Sequence, residues 1–84
     1  MNSDILRSPK QIGNAIRRRR RSLDMNQTEL GQKTHLRQAS ISGLEAGNAG
    51  TSLRTLFDAL TALDLELVVR ERTKASSSSI EELF

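Results

Sequence analysis

Asn26 and Glu29 stand three residues apart, where a helix cap and its reciprocal partner belong, only a few residues after an apolar stripe that begins at Ile12. A helix starting at Asn26 forces the preceding one to end first, so the chain is cut into short helices. The first has its own start: Ser8 can cap, Pro9 suits the first helical position, and Gln11 lies three after the cap. Its stripe is Ile12, Ala15, Ile16 and Leu23, and at about 100° per residue both Arg19 and Arg20 fall on or beside it. The second helix carries Leu30 and ends near Thr34–His35. No glycine is present there to turn left-handed, but histidine tolerates that conformation better than most residues. Gly31 leaves room for a neighbouring helix to approach. A third helix runs roughly from Gln38 to Ala46, with Ile41 and Leu44 facing in and Gly47 ending it. Thr51 or Ser52 caps a fourth, whose stripe is Leu53, Leu56, Phe57, Leu60 and Leu63.

After the fourth helix the pattern changes. Residues 65–71, Leu-Glu-Leu-Val-Val-Arg-Glu, alternate in part and include a β-branched pair, which predicts a short strand. A lone strand cannot satisfy its own backbone. It needs the N-terminal segment or its own copy in a second chain, with Leu65, Leu67, Val68 and Val69 as the dimerising residues. The organisation expected is a flexible 1–7, a helical domain over 8–64, a dimerising strand over 65–72, and a disordered tail over 73–84. That tail closes on Ile80, Leu83 and Phe84, apolar residues on a serine-rich leash that suit either partner docking or a frayed end.

With 84 residues there is one small domain, and such domains often lean on outside support. Cysteine is absent and His35 is the single histidine, which excludes disulfides and leaves no zinc ligand set; no metal and no cofactor is expected. Oligomerisation is the remaining support. No apolar run approaches the ~18 residues that span a bilayer and no signal-peptide core follows the arginines, which predicts a cytoplasmic protein. Nothing assembles a catalytic site either: there is no glycine-rich phosphate loop and no carboxylate cluster, so an enzyme is not expected. Charge is lopsided. Residues 1–40 carry nine Lys/Arg against three acids, and residues 41–84 carry four against seven. A basic half suits a polyanion; an acidic half suits a different partner.

Two short helices joined by a tight turn over 34–37 form a helix-turn-helix candidate, whose second helix enters the major groove of DNA. Opposite Ile41 and Leu44 that helix presents Gln38, Ala39, Ser42 and Gly43, a small uncharged face fit for close approach. Gln38 can pair with an adenine and Ala39 can meet a thymine methyl; Arg37 and Ser40 flank them. Gln27 and Thr28 open the second helix, where side chain and backbone N–H reach a phosphate. Five consecutive arginines spread around a helix, so only some of Arg17 to Arg21 can share a surface. Arg17 and Arg18 are the phosphate candidates.

Gln-Thr-Glu-Leu-Gly at 27–31 with Gln-Ala-Ser-Ile-Ser-x-Leu-Glu-x-Gly at 38–47 resembles the Xre/Cro-type helix-turn-helix family of phage repressors and antitoxins, over Pro9 to Leu63. The resemblance implies a mostly α, lambda-repressor-like bundle of four or five helices that binds operator DNA as a dimer, with one short C-terminal β-strand pairing across it. It also implies that Arg20, seven before Gln27, is buried against Glu45, a structural ion pair and not a DNA contact. The passage before the first helix, the helix-to-strand passage at 62–69 and the aromatic terminus are similar to the HipB antitoxins. That branch implies repression of its own operon and a HipA-type kinase toxin as partner. Without such a partner the chain is a stand-alone repressor; without DNA it is a protein-interaction module. His35 departs from the family's usual glycine, and Gly43 from the long base-reading side chain many members carry. Specificity is then expected to lean partly on DNA shape.

Overall fold

The computed structural model describes residues 4–73, which form α1 (Pro9–Ser22), α2 (Gln27–Thr34), α3 (Gln38–Glu45) and α4 (Leu53–Ala62). Local side-chain chemistry sets three of the four starts. Ser8 Oγ accepts from Gln11 N, Ser52 Oγ accepts from Thr55 N, and Asn26 with Glu29 completes a reciprocal capping box. Arg37 precedes α3 with no side-chain cap. The last turn of α1 holds Arg19, Arg20 and Arg21 beside the helix's carbonyl end, where positive charge is favoured.

All four helices end the same way. A single left-handed residue follows each one: Asp24 (φ 56°), His35 (φ 61°), Gly47 (φ 82°) and Asp64 (φ 57°). The next residue then donates its N–H back five positions, Met25 to Arg20, Leu36 to Gly31, Asn48 to Gly43 and Leu65 to Leu60. Met25, Leu36 and Leu65 are thereby thrown inward and pack against the core. Only one of the four turning residues is glycine, and the two aspartates carry a short polar side chain that tolerates the conformation. His35 tolerates it better than most residues but less readily than glycine. His35→Gly is expected to raise stability by about 0.5 kcal/mol, the left-handed penalty removed less the extra freedom given to the unfolded chain. Urea unfolding at fixed protein concentration checks it, and a lower midpoint would mean the imidazole makes a contact that offsets its strained backbone.

Each helix contributes to one core: Ile16 from α1, Leu30 from α2, Ile41 and Leu44 from α3, and Leu56, Ala59 and Leu60 from α4 with Leu63 just past its end. α3 is central, packed on α1, α2 and α4. Three expectations need correcting. Leu23 lies past the end of α1 and is exposed, since the helix stops one residue short of it. Leu53 (71% exposed) and Phe57 (49%) point away from the core and Ala59 fills it instead, because the apolar face of α4 is wider than one chain covers. Gly31 makes room for the turn and not for another helix: a Cβ there would meet Leu36 O at 2.7 Å. The strand expected over 65–71 has no ladder among the described residues, as one chain offers it no neighbour. Leu65 packs on the core, whereas Leu67, Val68 and Val69 are exposed, Val69 at 99%.

Candidate nucleic-acid interface

The α2–turn–α3 unit is held from behind. Arg20 reaches from α1 and donates from Nε to Glu45 Oε2 at 2.6 Å and from Nη2 to Glu45 Oε1 at 2.9 Å. A third bond runs from Arg20 Nη1 to Met25 O, also 2.6 Å. Both residues are buried, Arg20 at 6% exposure and Glu45 at 5%. The hydrogen bond to Glu45, reinforced by its charge, holds the guanidinium above its ordinary pKa, while burial pushes it down. Periodicity cannot separate Arg19 from Arg20, but their surroundings do. Arg19 is half-buried and donates from Nε to Leu63 O at 3.0 Å, joining the end of α1 to the end of α4. No sequence signal marked that bond, because its partner is a backbone carbonyl 44 residues away.

Gln27 and Gln38, the first residues of α2 and α3, meet side chain to side chain. Gln38 Nε2 donates to Gln27 Oε1 at 2.6 Å, and Gln27 Nε2 donates to Glu45 Oε1 at 3.3 Å. The starts of the two helices are thus tied to each other and to the buried ion pair. The Gln27 side chain, expected to reach a phosphate together with the backbone N–H, makes both of these bonds and keeps one N–H to spare. Thr28, Arg37, Gln38 and Ala39 are exposed, and Ser40, Ser42 and Gly43 are half-buried. A Cβ at Gly43 would touch only Asn48, at 3.9 Å, so the outer face of α3 is open at its middle.

Among the arginines, Arg17 is exposed and Arg18 bonds Asp4 from Nη2 at 2.9 Å. With both partners well exposed, that pair is worth little and yields easily to a phosphate. Ile80, Leu83 and Phe84 lie outside the described residues. Among the described residues no group of His, Asp and Glu clusters to hold a metal ion, and no helix is long and apolar enough to cross a membrane.

Two short helices joined by a left-handed turn, the second with a small outer face, define a helix-turn-helix protein. The family profile described as helix-turn-helix matches residues 16–69. Antitoxin HipB of Escherichia coli strain K12 is 35% identical over 75 residues, 89% of this chain and 85% of its own length. Among solved structures, a complex of a HipB variant with an O2 20mer matches with a TM-score of 0.81 at 30% identity, covering 86% of this chain and 100% of that one. A HipA–HipB–O2–O3 complex matches with a TM-score of 0.79 at 31% identity, covering 84% and 100%. The chain belongs to the helix-turn-helix family and, within it, to the HipB antitoxins.

Proposed function

We propose that this chain is a cytoplasmic antitoxin that binds its own operator as a dimer, represses the operon that encodes it, and binds a HipA-type kinase. The observation that carries the reading is the exposed start of α3, where Gln38 and Ala39 project beside Gln27 at the start of α2. Gln38 and Ala39 read base edges from the major groove, with Arg37, Ser40, Ser42 and Gly43 lining the approach. Gln27, Thr28, Arg17 and Arg18 take the flanking phosphates. The relatives support it: HipB is solved with 20mers and together with HipA.

Residues 8–64 are the DNA-binding domain, and residues 65–72 pair with their copy to form the dimer. Leu67, Val68 and Val69 are exposed, with no backbone partner among the described residues, and Phe57 stands exposed on α4, which is the apolar surface a second copy would cover. Two such domains place their third helices in successive major grooves. The kinase binds the acidic C-terminal half or the tail.

Selection of binding sites from a random duplex library tests the core of this. The expected result is a near-palindrome with half-sites about 10 bp apart. Affinity for it should fall by about 1,000-fold or more between roughly 50 and 200 mM salt, as several phosphates are neutralised at once. A library that enriches no consensus sinks the reading, and a single asymmetric half-site sinks the dimer. Tagged protein is further expected to carry a stoichiometric HipA-type kinase through purification. Recovery of the chain by itself would assign it to repression without a toxin.

A further inference from the structure

Arg19 and Arg20 are neighbours on the last turn of α1, about 100° apart around it, and each grips the end of a different helix. Arg20 holds Glu45, the last residue of α3. Arg19 Nε donates to Leu63 O, 3.0 Å away, where α4 has just ended. α1 packs chiefly on α3, while α4 packs on α2 and α3, so the Arg19 bond ties α1 directly to the point where the chain leaves the helical bundle. That carbonyl belongs to the planar peptide bond entering Asp64, whose left-handed backbone (φ 57°) makes the exit turn. Leu65 then packs on the core and donates its N–H to Leu60 O. Beyond it, among the described residues, residues 66–73 make no backbone hydrogen bond. Packed side chains fix where the exit lies; a directional bond to its carbonyl fixes how the peptide plane is turned.

We propose that Arg19 sets the spacing of the half-sites this protein accepts on DNA, by fixing the direction in which the dimerising strand leaves the DNA-reading head. The inference rests on the reading of α3 as the base-reading helix and of residues 65–72 as the pairing strand. In such a dimer the two strands are the shared frame. Each α3 is held to its own α1 by the close approach of Gly13 and by the Arg20–Glu45 pair. The angle between strand and head then decides how far apart, and how rotated, the two α3 helices lie. DNA converts that angle into a count of base pairs, since one base pair more moves a half-site by about 3.4 Å and turns it by about 35°. A stiff joint cannot follow such a change, whereas a loose one can. Arg19 is a positioning residue that acts through Leu63 O and touches no DNA.

The test measures affinities of the whole protein for its selected near-palindromic duplex and for duplexes with one or two base pairs added or removed between the half-sites. Wild-type protein is expected to lose affinity steeply with either change. Arg19→Met puts a methyl carbon where Nε stood. It is expected to cut that discrimination about tenfold, the scale of one well-aligned hydrogen bond, with base preferences inside each half-site unchanged. Arg19→Gln also removes the charge but places an amide N–H donor at the same distance along the side chain, and is expected to keep the wild-type discrimination. Circular dichroism verifies each fold, and Arg19→Leu replaces Arg19→Met should that variant not fold. Discrimination retained in Arg19→Met overturns the proposal. So does equal loss in Arg19→Met and Arg19→Gln, which with a shallower salt dependence would make Arg19 a phosphate ligand. Wild-type protein indifferent to spacing overturns it as well, and leaves DNA binding by a dimer standing. A selection that yields no consensus, or one asymmetric half-site, is instead a failure of the underlying reading, and the proposal falls with it.

Discussion

Glu45→Ala is expected to cost about 3–5 kcal/mol of stability, the range found when one partner of a buried ion pair is removed. The reason is what remains behind. Arg20 would sit at 8% side-chain exposure with its charge intact, keeping only its bond to Met25 O. A chain of this length has about 4–12 kcal/mol of total stability, so the variant is expected to lose a large share of it. The pair itself is a different quantity. Removing both charges by Arg20→Met with Glu45→Leu is expected to return stability to within about 1–2 kcal/mol of wild type, since desolvating the two ions had offset most of their attraction. Urea unfolding of both variants at one protein concentration measures this, with concentration fixed because any dimer would shift the midpoint. A Glu45→Ala protein that loses under 1 kcal/mol would show water reaching the guanidinium in solution and would sink the account of α1 docking on α3.

How far residue patterns reach is visible in the same pair. Ser8, Asn26 and Ser52 were legible as helix starts because a cap is a contact between neighbours three residues apart. Ile16, Leu30, Ile41, Leu44, Leu56 and Leu60 were legible as core because each lies on a helical stripe. Periodicity left Arg19 and Arg20 equivalent, and only family resemblance pointed to Arg20. The difference between them is tertiary: Glu45 comes from a helix 25 residues on. The left-handed Asp24 and Asp64 had no signal either, since an aspartate after a leucine turns only where the chain must re-enter the core. Leu53 and Phe57 show the converse limit. A stripe identifies apolar positions, but which of them one chain covers depends on how wide its neighbours are. The small uncharged outer face of α3 was legible by composition, whereas the link from Gln38 through Gln27 to Glu45 needed three helix positions placed together.

Gly13→Ala carries the second large effect, and helix propensity gets its sign wrong. In the interior of α1, alanine should stabilise by about 1 kcal/mol over glycine. A Cβ at position 13, however, would lie 2.5 Å from Glu45 O and 2.6 Å from Leu44 O, backbone atoms at the end of α3 that no rotamer change can move aside. Gly47 stands near the same seam, where a Cβ would meet Lys10 Cα at 2.6 Å, so α1 and the end of α3 approach backbone to backbone at two points. Parting them to admit a methyl group would also draw the Glu45 carboxylate away from Arg20, adding to the overpacking penalty of about 1–3 kcal/mol. A net loss of about 2–3 kcal/mol is therefore expected, despite the better helix former. Gly43→Ala is the matched control, because it too replaces a helical glycine but its Cβ meets only Asn48 at 3.9 Å. That variant is expected to gain about 0.5–1 kcal/mol. Thermal and urea unfolding of the two side by side should move in opposite directions. A Gly13→Ala protein as stable as Gly43→Ala would mean that α1 and α3 separate freely, and that the seam locking α3 against α1 is not closed in solution.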